Sequence, residues 1–387
     1  MSIFLKRSWL QKAYGACCEI AFIWLAVLPK KKNRIVFDNF GGRGFGCDPK
    51  YIALELLRRR SDLDLVWLSR DMKAELPPGV RPVKYGGARA LFELATAGVW
   101  VDNFKSALRI PKKRGQYYIQ TWHSSLGLKK NERDAVQLDS SYVRRAKRDA
   151  AATDLMYANN TFREEKYRNS YWYDGKVIRC GHPRNGILVH PSTLVNNKVR
   201  ERYHLPDDVK ILLYAPTFRS RAGIEAYRFI AGSCLAACEE RFGGKHVCFL
   251  RLHPNVAGRE QEIIGSDNLV PVTDYPDMQE LMAAADVLVT DYSGSMFEFM
   301  LTGKPVFLLA KDLQEYLAEE RELYFAFEDL PFPMAQNEKE LAALISSFDS
   351  EEYGEKCRTF MDAIGMKDDG RGAEVIADVI LEKMGLL

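Results

Sequence analysis

Two histidines at predicted strand ends carry most of the chemistry available to this chain. His123 closes the apolar run over 117–122 and is followed by Ser124, Ser125 and Gly127, small residues that let an imidazole face a cleft. Histidine is the side chain suited to take a proton near neutral pH. His253 closes Arg251-Leu252-His253-Pro254, where strand alternation puts Arg251 and His253 on one face. A neighbouring strand ends in Pro216-Thr217-Phe218-Arg219. Cations converging at strand ends suit a diphosphate better than an uncharged sugar. A third strand ends in Thr290-Asp291 and passes through Tyr292, Ser293, Gly294 and Ser295 into a helix carrying Glu298. Amides and hydroxyls at such a helix start favour phosphate. The turn Gly181-His182-Pro183-Arg184 offers Arg184 as a phosphate grip or as a turn-stabilising ion pair. Taken singly, each residue also has a plain structural reading: a polar histidine, a surface arginine, a serine N-cap.

These residues need strands and helices to place them. Residues 34–40 read as a buried strand, followed by a loop with Gly42 and Arg43, then a helix ending near Arg60. Asp48 suits its N-cap and Pro49 its first turn. The loop over 41–46 lacks the GxGxxG spacing of a dinucleotide site and reads as a cleft edge. Further strands are expected over 63–68, 98–101, 117–122, 155–158 and 176–179, with helical patterns between. After a polar stretch near 203–208 the alternation restarts. Strands are expected over 209–215, 247–252, 269–273, 287–290 and 305–310, with a helix over 227–242. Two such units predict an α/β protein with two Rossmann-like domains facing a cleft, where α/β sheets place ligands. The expected division is 1–32, 33–190 and 191–387, with the inter-domain boundary near 185–205.

Length and charge agree with this. At 387 residues the chain exceeds one ordinary core and suits two domains of about 150–200 residues each. A net charge of +3 makes no case for a nucleic-acid partner. The eight cysteines show no paired CxxC spacing, so a zinc site is not expected. Cys234 and Cys238 read as core packing in a helix. Residues 1–34 hold Lys6, Arg7, Lys12, Lys30, Lys31, Lys32 and Arg34 against Glu19 alone. The apolar run over 16–29 is shorter than the ~20 residues of a membrane span. With Trp9 and Trp24 it reads as an amphipathic helix lying in a membrane interface, or as a buried first helix.

In this order the motifs resemble the CDP-glycerol glycerophosphotransferase family, which primes and polymerises teichoic-acid and related capsular chains. The resemblance rests on Gly42-Arg43, Asp48-Pro49-Lys50, Gln120-Thr121-Trp122-His123, Pro183-Arg184-Asn185, Tyr214-Ala215-Pro216-Thr217 with Arg219, and His253-Pro254. It continues through Thr290-Asp291-Tyr292-Ser293, Lys304-Pro305, Asp312 with Tyr316, and Asp369-Gly370. It implies a GT-B architecture with no required cofactor or metal, a CDP-glycerol or CDP-ribitol donor, and a lipid-linked or polymeric acceptor. The implied location is the cytoplasmic face of the membrane. By resemblance His123 is the general base and His253 binds or protonates the donor phosphates. Arg219, Thr217, Pro216, Arg251, Thr290, Asp291, Ser293, Gly294, Ser295 and Glu298 line the donor side, and Gly42, Arg43, Ser124, Ser125 and Arg184 the acceptor side. The chain departs from the family at His123-Ser124-Ser125, where members usually read His-Gly-Thr. The alternatives are a GT-B glycosyltransferase using a nucleotide sugar, with Glu298 as its ribose carboxylate, and a polymer-binding protein without turnover.

Overall fold

Strands whose side chains are apolar almost without interruption form a parallel sheet only where both faces are covered. Strands of this kind form the middle of two sheets here. The computed structural model describes residues 25, 27–105, 111–219, 223–253, 256, 258–263, 269–319 and 322–387. The first sheet contains β1 (Arg34–Asp38), β2 (Asp64–Ser69), β3 (Val80–Lys84), β4 (Val99–Asp102), β5 (Tyr117–Gln120), β6 (Leu155–Ala158) and β7 (Lys176–Arg179). Its order is β3-β2-β1-β4-β5-β6-β7, parallel throughout. Helices α1 (Cys47–Arg59), α2 (Ala88–Thr96), α3 (Ser140–Ala152) and α4 (Thr161–Ser170) connect these strands.

Short helices α5 (Gly186–Val189) and α6 (Thr193–Arg202) lead to the second sheet. That sheet contains β8 (Lys210–Tyr214), β9 (His246–Leu250), β10 (Leu269–Pro271), β11 (Val287–Thr290), β12 (Val306–Leu309) and β13 (Met334–Ala335). Its parallel order, β10-β9-β8-β11-β12-β13, repeats the first sheet's winding. The accompanying helices are α7 (Ala231–Phe242), α8 (Met278–Ala284), α9 (Ser295–Phe299), α10 (Leu313–Glu319), α11 (Glu338–Ser346), α12 (Ser350–Ala363) and α13 (Gly372–Met384). Cys234 and Cys238 are buried in the second core, as expected of small apolar side chains. Helix α13 returns to the first sheet, where Ile376, Ala377 and Ile380 join Ile35, Phe37 and Ile119 in one core.

The α/β fold with two Rossmann-like sheets matches the expectation. The interfacial helix expected within 1–32, with Trp9 and Trp24, lies mostly outside the described residues. Among the described residues no helix is long and apolar enough to cross a membrane. Each sheet reverses its winding between the first and fourth strands of its unit, β1/β4 and β8/β11. Ligands of open α/β sheets bind beyond the strand C-termini at such switch points.

One N-cap expectation fails. Gly46, not Asp48, occupies the N-cap of α1. The Asp48 carboxylate instead accepts from His182 Nδ1 at 2.8 Å, Arg184 N at 2.9 Å and Arg184 Nη1 at 2.7 Å. Burial pushes the Asp48 pKa up, but Arg184 and His182 outweigh it and hold the group below the usual value.

Candidate active site

Beyond β5 the chain turns sharply: Trp122 adopts φ +56°, a left-handed conformation costly for a bulky residue. Phe40 after β1 and Cys47 at the start of α1 are left-handed too. All three border the same region. The Trp122 turn is fixed because its N–H donates to Gln120 Oε1 at 3.0 Å. It aims His123 back along the sheet edge, stacked on Trp122 at 4.4 Å and 5.3 Å from the Phe40 ring.

His123 Nδ1 lies 2.9 Å from the Asn103 carbonyl oxygen. A carbonyl only accepts, so Nδ1 carries the hydrogen and Nε2 keeps its lone pair. Burial, with the positive charges of Arg184 and Arg163 and against the Asn103 hydrogen bond, pulls the His123 pKa down to about 4. The ring is therefore neutral near pH 7, the form a proton acceptor requires.

Asn103 is the residue that ties this region together. Its Oδ1 accepts from Phe40 N at 2.8 Å, and its Nδ2 donates to Asn39 Oδ1 at 2.7 Å. Asn39 Nδ2 in turn donates to the Arg43 carbonyl at 2.7 Å. The glycine loop is thereby locked to the histidine. Gly42 must be glycine: φ is +82°, and a Cβ there would lie 2.7 Å from Tyr85 Cβ. Arg43 itself is exposed. Behind the loop after His123, Arg163 donates to Ser124 Oγ at 3.1 Å, to Tyr171 OH at 2.9 Å and to the Leu126 carbonyl. The Ser125 hydroxyl is buried and has no hydrogen-bond partner among the described residues.

On the second sheet, Pro216 ends β8's line and Thr217 N–H donates to both Asp291 oxygens at 2.8 and 3.0 Å. Thr217 Oγ1 is buried and has no hydrogen-bond partner among the described residues. Thr290 donates its hydroxyl to the Ala215 carbonyl at 2.6 Å, which locks β11 to β8. Ser293 Oγ accepts from Ser295 Oγ at 2.9 Å and Ser295 N at 3.3 Å. The two loops meet at glycines: a Cβ on Gly294 would stand 3.7 Å from Gly127 Cα. His253 packs against Phe218, ring centroids 5.3 Å apart, and its pKa is lowered by burial and by Lys129 and Arg251. Lys129, whose charge acts on His253, belongs to the loop that begins at His123.

Four expected ligand contacts are already engaged within the protein. Arg184 is buried and forks between Asp48 and Glu298, with Nη2 2.6 Å from Glu298 Oε1. Glu298 also accepts from Gln279 Nε2 at 2.6 Å. Neither side chain projects into open space, because a buried charge is tolerable only when paired. Arg251 acts on His253 through its charge, but its hydrogen bonds go elsewhere. It turns back to donate to the carbonyls of Val272 at 2.9 Å, Thr273 at 2.8 Å and Tyr275. Arg219 is clamped by Asp291 at 2.8 Å and Asp312 at 2.7 Å, with its guanidinium over the Tyr292 ring.

Sequence reasoning missed Asn103, Asn39 and Arg163. Asn103 follows β4 at the switch point, and topology would have singled it out. Arg163 sits inside a helix and gives no local signal.

Two parallel doubly wound sheets in one chain give a GT-B-like architecture. The family model for CDP-Glycerol:Poly(glycerophosphate) glycerophosphotransferase matches residues 20–382, and the chain belongs to that family. It is similar to the teichoic acid poly(glycerol phosphate) polymerase of Staphylococcus epidermidis, 29% identical over 90% of this chain and 50% of the relative. The chain thus spans half the length of that relative. The polymerase of the same description from Bacillus spizizenii is 27% identical over 97% of this chain and 98% of its own. Among solved structures, the wall teichoic acid polymerase TagF superposes with a TM-score of 0.80 at 28% identity, over 92% of this chain and 90% of that one.

Proposed function

We propose that the chain transfers glycerol phosphate from CDP-glycerol to the hydroxyl of a polymeric or lipid-linked acceptor at a membrane surface, releasing CMP. The observation that carries this is a neutral His123, its Nδ1 hydrogen held by Asn103, at the start of the loop whose Gly127 meets Gly294. In the proposed step Nε2 of His123 takes the acceptor hydroxyl's proton as its oxygen attacks the phosphorus bearing glycerol. The P–O bond to CMP breaks, and His253 with the Thr217 hydroxyl offsets charge on the departing phosphate. A positioned base of this kind contributes roughly 10²–10⁴-fold. Stabilising charge on the transferred group supplies much of the rest.

Arg219 serves this scheme indirectly: clamped by Asp291 and Asp312, it fixes the loop that presents Thr217. The membrane part of the proposal draws on the cations at Lys30, Lys31 and Lys32 and on those earlier in the chain. The nucleotide-sugar alternative needs a carboxylate free to meet a ribose. Glu298, its candidate, is held by Arg184 and Gln279. A donor screen decides between them: CMP released from CDP-glycerol or CDP-ribitol supports the proposal, and UDP released from a UDP-sugar overturns it.

A further inference from the structure

A pair of carboxyl groups stands directly behind the proposed base. β1 and β4 are neighbours at the switch point, and their last residues, Asp38 and Asp102, are partners in register. Adjacent parallel strands lie roughly 4.8 Å apart, so both side chains emerge side by side on one face. Each residue is only 6% exposed. Each accepts from the loop that its own strand feeds: Asp38 Oδ1 from Gly42 N at 2.7 Å, Asp102 Oδ1 from Phe104 N at 2.8 Å. Between those anchored amides lie the two groups that hold His123, the Phe40 ring and the Asn103 carbonyl.

The pair opens on a cavity of about 60 Å³ lined also by Val36, Trp100, Tyr118 and Asp149. That is room for about two waters. The charged and titratable groups facing it are few. Asp149 from α3 accepts from Tyr118 OH at 3.0 Å and Gln120 Nε2 at 3.3 Å. Arg148 from α3 lines the rim and is exposed. Arg70, just after β2, attracts Asp38 while donating to the Gly41 carbonyl at 2.6 Å. Three carboxyls therefore face one another with one cation at the rim and one on the loop. Burial raises Asp38 to about 7. It raises Asp102 well above the carboxylate range, with Asp38 and Asp149 adding to the effect. Two like charges on neighbouring strands in a buried site disfavour each other's ionisation near neutral pH.

We propose that Asp38 and Asp102 share a proton and, as that pair, position the Asn103 carbonyl that orients His123. The inference rests on His123 acting as the base. With the proton in place, the pair holds both loops by the same two amides. Without it, repulsion across the β1/β4 edge loosens residues 39–42 and 103–104, and the histidine loses its fixed tautomer. These are positioning residues, and the donor-binding loops of the second sheet are unaffected.

Infrared absorption of the wild-type chain at neutral pH reads the proton itself. A protonated-carboxyl stretch that disappears in Asp102→Asn is expected. A wild-type spectrum without that band, or an unchanged band in the variant, overturns the proposal, whether or not the chain turns over any CDP-alcohol. In the transfer assay Asp102→Asn, neutral and able to accept from Phe104 N, keeps kcat within about threefold of wild type. Asp102→Ala withdraws that acceptor and lowers kcat at least about tenfold, with KM for CDP-glycerol changed by less than about twofold. Equal kcat in the two variants also overturns it.

Discussion

The Asn103 carbonyl lies 2.9 Å from Nδ1 of His123, and that one contact decides which ring nitrogen can accept a proton. Because the acceptor is backbone, it carries no charge that would stabilise imidazolium. The ring stays neutral in a site shaped by burial and by Arg184 and Arg163.

A depressed histidine pKa has a signed consequence. Protonation removes the Nε2 lone pair, so kcat/KM falls as pH drops through about 4, His123's value, and not through the ordinary 6.5. Stability follows the same sign: between those two values the unfolded chain binds the proton more readily, so stability declines as pH falls across that window. A pH profile of kcat/KM with CDP-glycerol checks this, and an acid limb centred near 6.5 contradicts it.

Asn103→Ala removes the acceptor for Phe40 N and the bridge to Asn39. Leaving a buried amide unpaired costs about 1–3 kcal/mol. The glycine loop loses its tie to the histidine at the same time. We expect a lower urea midpoint together with a kcat reduced about tenfold and a smaller change in KM. Unchanged kcat in a folded variant would show that the bridge does not position the base.

Arg184→Leu tests whether the inter-sheet charge chain is structural. The change leaves the buried Asp48 and Glu298 without their shared cation. Removing one partner of a buried ion pair costs on the order of 3–5 kcal/mol. Chemical unfolding measures it. A loss below about 1 kcal/mol, accompanied by a large rise in KM for the donor, would instead return Arg184 to phosphate binding.

Much of this was legible in the sequence, and the omissions share a cause. Apolar runs such as those of β6 and β11 matched their strands residue for residue, because buried parallel strands leave no polar alternation to confuse. β3 was missed because Pro82 interrupts it and its burial alternates at the sheet edge. β13 is only two residues long. Within the site, motifs at strand ends were found, but the partners of their side chains were not. Asp48 looked like a local N-cap, yet its partners His182 and Arg184 stand 134 and 136 residues away. Arg251 and Glu298 likewise read as ligand contacts and Arg184 as a phosphate grip or an ion pair, and the fold supplies protein partners to all three. Spacing along the chain identifies reactive residue types, whereas only packing shows which of them are already engaged.

The central claim is that His123 accepts the acceptor's proton while CMP leaves. The most direct measurement is the rate of CMP release from CDP-glycerol by His123→Ala beside the wild-type chain, with circular dichroism to establish that both are folded. The account predicts a rate at least about 100-fold lower in the variant, with donor affinity retained. CMP release at a near-wild-type rate by folded His123→Ala would contradict it.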